Sequence, residues 1–252
     1  MRALRSLTTA LGAALALVVS VPATAHANVL TLLPQNADGL EQTFSPAYDY
    51  DRDGCYATAA IGADGTINPG LRLGGDVNGK CHDYAQLANA NTYARAKCNN
   101  GWCAVMYASY FEKDQATLGP AAIGHTHDWE HVVVWVAEDR VQYVSVSQHS
   151  GYQMAAASAV RFDGTHPKIV YHKDGVSTHC FRFATGGDEP PENATGGWFF
   201  PRLVGWDGYP AGYRDKLLSA DFGSATLKID DADFPYALAH SKPAGIPFDP
   251  YG

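Results

Sequence analysis

The sequence predicts a mainly β protein of loop-rich, sandwich-like character, and three observations carry the prediction. Val132-Val133-Val134-Trp135-Val136 is an unbroken apolar run of strand length and reads as a buried strand. Aromatic residues make up 12% of the chain, and its 25 glycines and 14 prolines are frequent enough for many turns, as in sandwiches and lectin-like folds. No internal repeat, low-complexity tract or clear linker interrupts it, so one β-rich domain is favoured over two small ones.

In chain order, residues 1–27 read as a secretory signal peptide. Arg2 and Arg5 form a basic start, the stretch from Leu11 to Val21 is a short apolar run, and Ala25-His26-Ala27 is a small-x-small cleavage site. That run is too short to span a bilayer, and no later segment approaches the required ~20 apolar residues. The domain is therefore expected to cover residues 28–252, exported and without a transmembrane span. Losing the leader removes two of the 18 basic residues and none of the 26 acidic ones, leaving a formal charge of −10. So acidic a chain is a poor partner for nucleic acid or for anionic membranes in general, and membrane contact would need a specific headgroup or a bridging cation.

Asp49-Tyr50-Asp51-Arg52-Asp53-Gly54 has the alternating aspartates and glycine of the first half of a calcium loop. The twelfth position from Asp49 is Ala60 and not Glu, which excludes an EF-hand but leaves a looser loop through Asp49, Asp51 and Asp53, or an ordinary acidic turn. A short helix is expected within Cys81–Ala96, a strand over Trp102–Phe111, and a hairpin loop at Ala137–Arg140 leading into a strand over Val141–Ser147. Lys168–His172 and His179–Phe183 are further strand candidates, Thr185–Gly197 with its Pro-Pro pair reads as a loop, and Tyr213–Asp221 as a helix. Asn193-Ala194-Thr195 is a glycosylation sequon.

Five cysteines suit an exported protein. Cys98 and Cys103 bracket an Asn-Gly turn that makes a short disulfide geometrically reasonable; Cys55 with Cys81 would then close a longer loop and leave Cys180 over. Other pairings, and a zinc site, are open from spacing alone.

The chemistry concentrates in Gly124-His125-Thr126-His127-Asp128-Trp129-Glu130-His131. In an extended chain side chains alternate, so Asp128 and Glu130 face one way and Trp129 and His131 the other. Gly124 permits a tight turn, and a bend near Thr126 would bring His125 to the carboxylate side. Two carboxylates and one imidazole suit Ca²⁺, Mg²⁺ or Mn²⁺ better than Zn²⁺. The competing reading is a plain network of hydrogen bonds between His and carboxylates. An enzyme is the other rival, but Glu130 follows His127 too closely for a cupin, and a His-x-His-Asp hydrolase places its Asp one residue later.

Gly124-His125-Thr126-His127-Asp128-Trp129-Glu130 resembles the G-H-R-H-D-W-E heptapeptide of the necrosis- and ethylene-inducing-peptide-like (NLP) proteins. Ala104-Val105-Met106-Tyr107-Ala108-Ser109-Tyr110-Phe111-Glu112-Lys113-Asp114 is similar to the family's A-I-M-Y-x-x-Y-F-x-K-D block, and Asp49–Cys55 with Lys97–Cys103 resemble the variant with a second disulfide and a calcium loop. His179, Leu203-Val204-Gly205-Trp206 and Asp221-Phe222-Gly223-Ser224-Ala225 resemble family positions too, so the likeness spans essentially residues 28–252.

The resemblance implies a mainly β, α+β fold: a single-domain β-sandwich with flanking helices, similar to actinoporins and fungal lectins. It implies a secreted, non-enzymatic protein, taken here as a monomer, that binds plant glycosylinositol phosphorylceramide, lyses eudicot cells in many members, and engages plant immunity. It also implies a cleft metal, Ca²⁺ or Mg²⁺, at Asp114, His125, Asp128 and Glu130; Asp114 comes from the resemblance and not from spacing. His127 and His131 are expected to orient their neighbours, and Trp198, Trp206 and His179 are candidate sugar or lipid contacts, while Trp129 and Trp135 belong in the core. One departure stands out. Thr126 occupies the position of the family's Arg, and Thr cannot replace a guanidinium in ion pairing or bidentate contacts.

Overall fold

The computed structural model describes residues 29–252; the expected signal peptide lies outside the described residues. The elements run α1 (Gly39–Thr43), β1 (Ala47–Tyr50), α2 (Tyr84–Ala88), β2 (Asn91–Asn99), β3 (Trp102–Gln115), β4 (Gly124–Ala137) and β5 (Arg140–Gln148). They continue through β6 (Gly151–Ala156), β7 (Phe162–Asp163), β8 (His166–Lys173), β9 (His179–Phe183), β10 (Arg202–Gly205), α3 (Tyr213–Ser219) and α4 (Phe234–Ser241). The fold is mainly β, with short helices around two sheets, as expected.

The larger sheet has six strands in the order β10-β2-β3-β4-β5-β6; the smaller is built on β8, which pairs with β1, β7 and β9. Alternation along β4 divides its side chains between two cores. Val132, Val134 and Val136 meet Tyr48, Ile169, Tyr171 and Phe181 of the smaller sheet. Trp129, Val133 and Trp135 face a second core closed by Leu217, Phe234, Leu238 and Phe248 of the C-terminal segment. A strand covered on both faces needs apolar residues at every position, which is why its run is unbroken.

Tight turns set the sheet register. Asn100 and Gly101 both adopt positive φ between β2 and β3, the geometry a two-residue hairpin needs, and Cys98 pairs opposite Cys103 and bonds to it. Cys55 and Cys81 form the other disulfide, and Cys180 is free and buried. Glu138 and Asp139, also at positive φ, make the β4–β5 turn in the expected place.

The helix expected within Cys81–Ala96 is a single turn, α2; the segment then becomes β2. Ala94 and Ala96 stand opposite Tyr107 and Val105, so cross-strand packing of small against large side chains overrides the helical preference of Ala, Arg and Lys. No helix among the described residues is long and apolar enough to cross a membrane.

Candidate functional site

The site lies where β3 and β4 outrun the shared core and meet β8 and β9 of the smaller sheet. Asp128 and Glu130 share the side of β4 that carries Val132, as simple alternation requires. His125 would fall on the opposite side but for His127, which adopts φ 62. Its opposite number Glu112 drops out of the ladder, while Phe111–Asp128 and Lys113–Thr126 on either side hold one register. The bend expected near Thr126 therefore sits one residue later.

Two glycines make this path passable. Gly124 has φ 143, and a Cβ there would lie 2.1 Å from the Asp114 carbonyl oxygen. Gly70 has φ 67, and a Cβ there would lie 2.6 Å from the His127 ring.

The result is a cluster. One ligand atom each from Asp114, His125 and Asp128 lies within 4.8 Å of the others, with His125 Nε2 3.9 Å from Asp114 Oδ2. The imidazole is oriented for ligation: Nδ1 donates to the His127 carbonyl at 2.7 Å, so that nitrogen carries the proton and Nε2 presents a lone pair. Asp114 is fixed by His179, whose backbone N–H donates to both carboxylate oxygens at 2.9 Å and whose Nδ1–H donates to Oδ1 at 2.7 Å. Asp128 accepts from the Tyr171 hydroxyl at 3.0 Å, and the Tyr171 ring is stacked between Phe111 and His179.

Asp114 and Asp128 are both buried, and among the described residues neither pairs with Lys or Arg. Burial, and then the charge of Asp114, raises the Asp128 carboxyl above its usual range. Glu130 is raised well above by burial and then by Asp128. Buried like charges without a basic partner are costly, and a hard cation held by these oxygens would offset that cost, so the donor set fits a divalent ion.

Other expected site residues are placed differently. Glu130 lines the cleft, but its carboxylate accepts from Ser147 Oγ, and it stands outside the three-residue cluster. His127 bonds through Nδ1 to the Tyr110 hydroxyl at 2.6 Å; its contribution to His125 is the backbone carbonyl and not the ring. His131 is fully buried on the far side of β4, where Nε2 accepts from the Lys228 backbone N–H, so it does not orient a cleft ligand. Thr126 is tied to the Leu71 carbonyl at 3.0 Å.

Of the expected contacts, Trp206 is 3% exposed in the second core, and Trp198 donates to Glu189 beneath Lys168. Neither lines the cleft. His179 does line it, as the anchor of Asp114.

The aspartates of the expected second calcium loop do not converge. Asp49 is buried and accepts from the backbone N–H groups of Glu192 and Asn193 and from Asn193 Nδ2. Asp51 lies 3.5 Å from Arg182, burial pushing its carboxyl up to about 6, and Asp53 Oδ1 is 3.8 Å from His179 Nε2. β1 ends at Tyr50 and the chain turns over residues 51–54, so the alternation that would align the three aspartates stops after Asp49, and each carboxylate has found its own partner. The sequon residue Asn193 is itself buried, with its amide donating to Asp49 and to the Gly197 carbonyl, a role a glycan would disrupt.

The cleft has a volume of about 170 Å³ and a polar lining. Sequence reasoning missed its other walls. His149 and Thr178 come from turns beside the smaller sheet, and Ser224, Thr226 and Lys228 from a segment held by Phe222 against Trp129, Tyr110 and His127. Phe222 and Ser224 fall in the stretch that resembles a family position; His149, Thr178, Thr226 and Lys228 carry no such signal in the linear chain. The arrangement offers anchored oxygens, a free imidazole nitrogen, and hydroxyl and ammonium groups around an open space.

Residues 38–241 match the family described as necrosis inducing protein (NPP1). NLP effector protein 10 of Phytophthora capsici is 32% identical over 195 residues, covering 75% of this chain and 77% of that relative. The solved structure of NLPPya in complex with mannosamine is 30% identical, with a TM-score of 0.72 over 86% of this chain and 97% of that one. That of the non-toxic HaNLP3 protein is 26% identical, with a TM-score of 0.72 over 88% and 100%.

Proposed function

The chain belongs to the necrosis inducing protein (NPP1) family, and from that premise we propose that it is a secreted effector whose cleft cation grips the sugar headgroup of plant glycosylinositol phosphorylceramides. The observation that carries this reading is the meeting of Asp114, the lone pair of His125 and Asp128 at one point of an open, polar cleft. Ca²⁺ or Mg²⁺ suits such a donor set, with Mn²⁺ as the third choice. When bound, the ion supplies coordination positions that vicinal sugar hydroxyls can fill. Asp114, His125 and Asp128 hold it, His179 and Tyr171 hold the carboxylates, and Glu130 adds negative charge nearby. The mannosamine complex of NLPPya supports an amino sugar or a related ring as the ligand class.

In this reading residues 1–27 direct export, residues 28–252 form one domain, and the protein acts at the outer face of the host membrane without inserting a helix. No covalent step is needed. A second reading, a non-cytolytic sugar-binding or eliciting protein, is favoured by Thr126 in place of the heptapeptide's Arg and by the likeness to non-toxic HaNLP3. Dye-filled vesicles with and without glycosylinositol phosphorylceramide separate the two. Leakage confined to the sphingolipid vesicles supports the cytolysin, binding without leakage supports the second reading, and absence of binding with Mg²⁺ or Ca²⁺ present overturns both.

A further inference from the structure

A second group of ligand-capable side chains lies beside the cleft and is chemically unlike it. His149, Asp174 and Cys180 each present one ligand atom, all within 4.8 Å of one another. They come from three separate places: the two-residue turn between β5 and β6, the end of β8, and β9. His149 Nε2 is 3.1 Å from Asp174 Oδ2. The Cys180 sulfur is 3.6 Å from Nε2 of His172, its cross-strand partner in β8.

A thiolate, an imidazole and a carboxylate make a borderline-soft set, the kind that holds zinc through three protein ligands and a water. Zinc–sulfur bonds of ~2.3 Å and zinc–nitrogen bonds of ~2.0 Å place tetrahedral ligand atoms roughly 3.3–3.6 Å apart. The 3.1 Å between His149 and Asp174 is close to that range, and the Cys180 sulfur lies within 4.8 Å of both ligand atoms. The charges also balance, since one thiolate and one carboxylate neutralise a divalent ion. The four other cysteines are taken by the two disulfides, so Cys180 is the free sulfur among the described residues, and it sits against imidazoles instead of hydrocarbon alone.

We propose that Cys180, His149 and Asp174 form a binding site for a zinc-class ion, separate from the hard-cation cleft, with His172 beside the sulfur. Its position gives it a consequence. The ion ties the β5–β6 turn to the β8–β9 hairpin, and His149 and Thr178 on those two segments line the cleft, so the site fixes one cleft wall.

The test is titration of the chain from Asn28, disulfides intact, with Co²⁺ as the probe, read by the thiolate-to-cobalt charge-transfer absorption. The band should saturate at about one equivalent, be displaced by Zn²⁺ and withstand excess Mg²⁺. Cys180→Ser should abolish it. His149→Ala, at a partly exposed turn where folding is little affected, should weaken Co²⁺ binding about tenfold or more. No band in the folded protein, a band that survives Cys180→Ser, or an affinity untouched by His149→Ala would overturn the proposal. None of these readings depends on the cleft ion or on sugar binding.

Discussion

His179 shows how one residue can govern a site by holding its carboxylates. It spends a backbone N–H and a ring N–H on Asp114, and its ring supports Tyr171, which in turn holds Asp128. His179→Gln should lower the affinity for Ca²⁺ or Mg²⁺ by roughly 10–100-fold while the thermal midpoint of the cation-free protein moves far less, because the residue positions the ligands. Calorimetric titration beside a melting curve checks both. At this scale the chain was partly legible. Alternation alone placed Asp128 and Glu130 on one side of β4, and the bend that recruits His125 was expected one residue from where it lies. The capture of Glu130 by Ser147, a residue 17 positions away on β5, depends on strand pairing that local spacing does not encode.

At the scale of elements, the segment after β9 is a single 3₁₀ turn over Gly186–Asp188 that is held by charge. Arg182 donates to both oxygens of Asp188 at 2.9 and 2.6 Å, and Thr185 donates to the same carboxylate through its N–H and hydroxyl. The Arg182 guanidinium holds the Asp188 carboxyl well below the usual range. A carboxyl depressed on folding contributes stability that is fully present above its unfolded pKa, near ~3.9, and is lost as the pH falls through the folded value. Asp188→Asn should therefore cost about 2–3 kcal/mol at neutral pH, as loss of a charged hydrogen-bonded pair does, with the deficit shrinking under strong acid. Urea denaturation at pH 7 and at pH 2 measures the difference. The chain announced this region as a loop from its Pro-Pro pair, and announced β9 with its observed bounds. It did not announce β2, where helix-forming residues were read for their own preference before their partners in β3 were known.

For the molecule as a whole, the two cores meet through a central sheet whose buried strand was visible as Val132–Val136, whereas the elements that close the second core lie a hundred residues away in sequence. The cleft sits at the end of the core shared by the two sheets, so occupancy there should be felt throughout. A cation at about 100 times its Kd adds about 2.7 kcal/mol to the folded state. For a domain of this size that raises the melting midpoint by roughly 5–10 °C, an effect Asp128→Asn should remove. Differential scanning calorimetry with Mg²⁺ or a chelator reads it directly.

The most direct measurement is co-sedimentation of the chain from Asn28 with vesicles containing glycosylinositol phosphorylceramide, in Mg²⁺ or in chelator. Binding should appear only with the divalent ion and vanish in Asp128→Asn. Equal binding in chelator, or wild-type binding by Asp128→Asn, would contradict the claim that a cation at Asp114, His125 and Asp128 is what takes hold of the sugar.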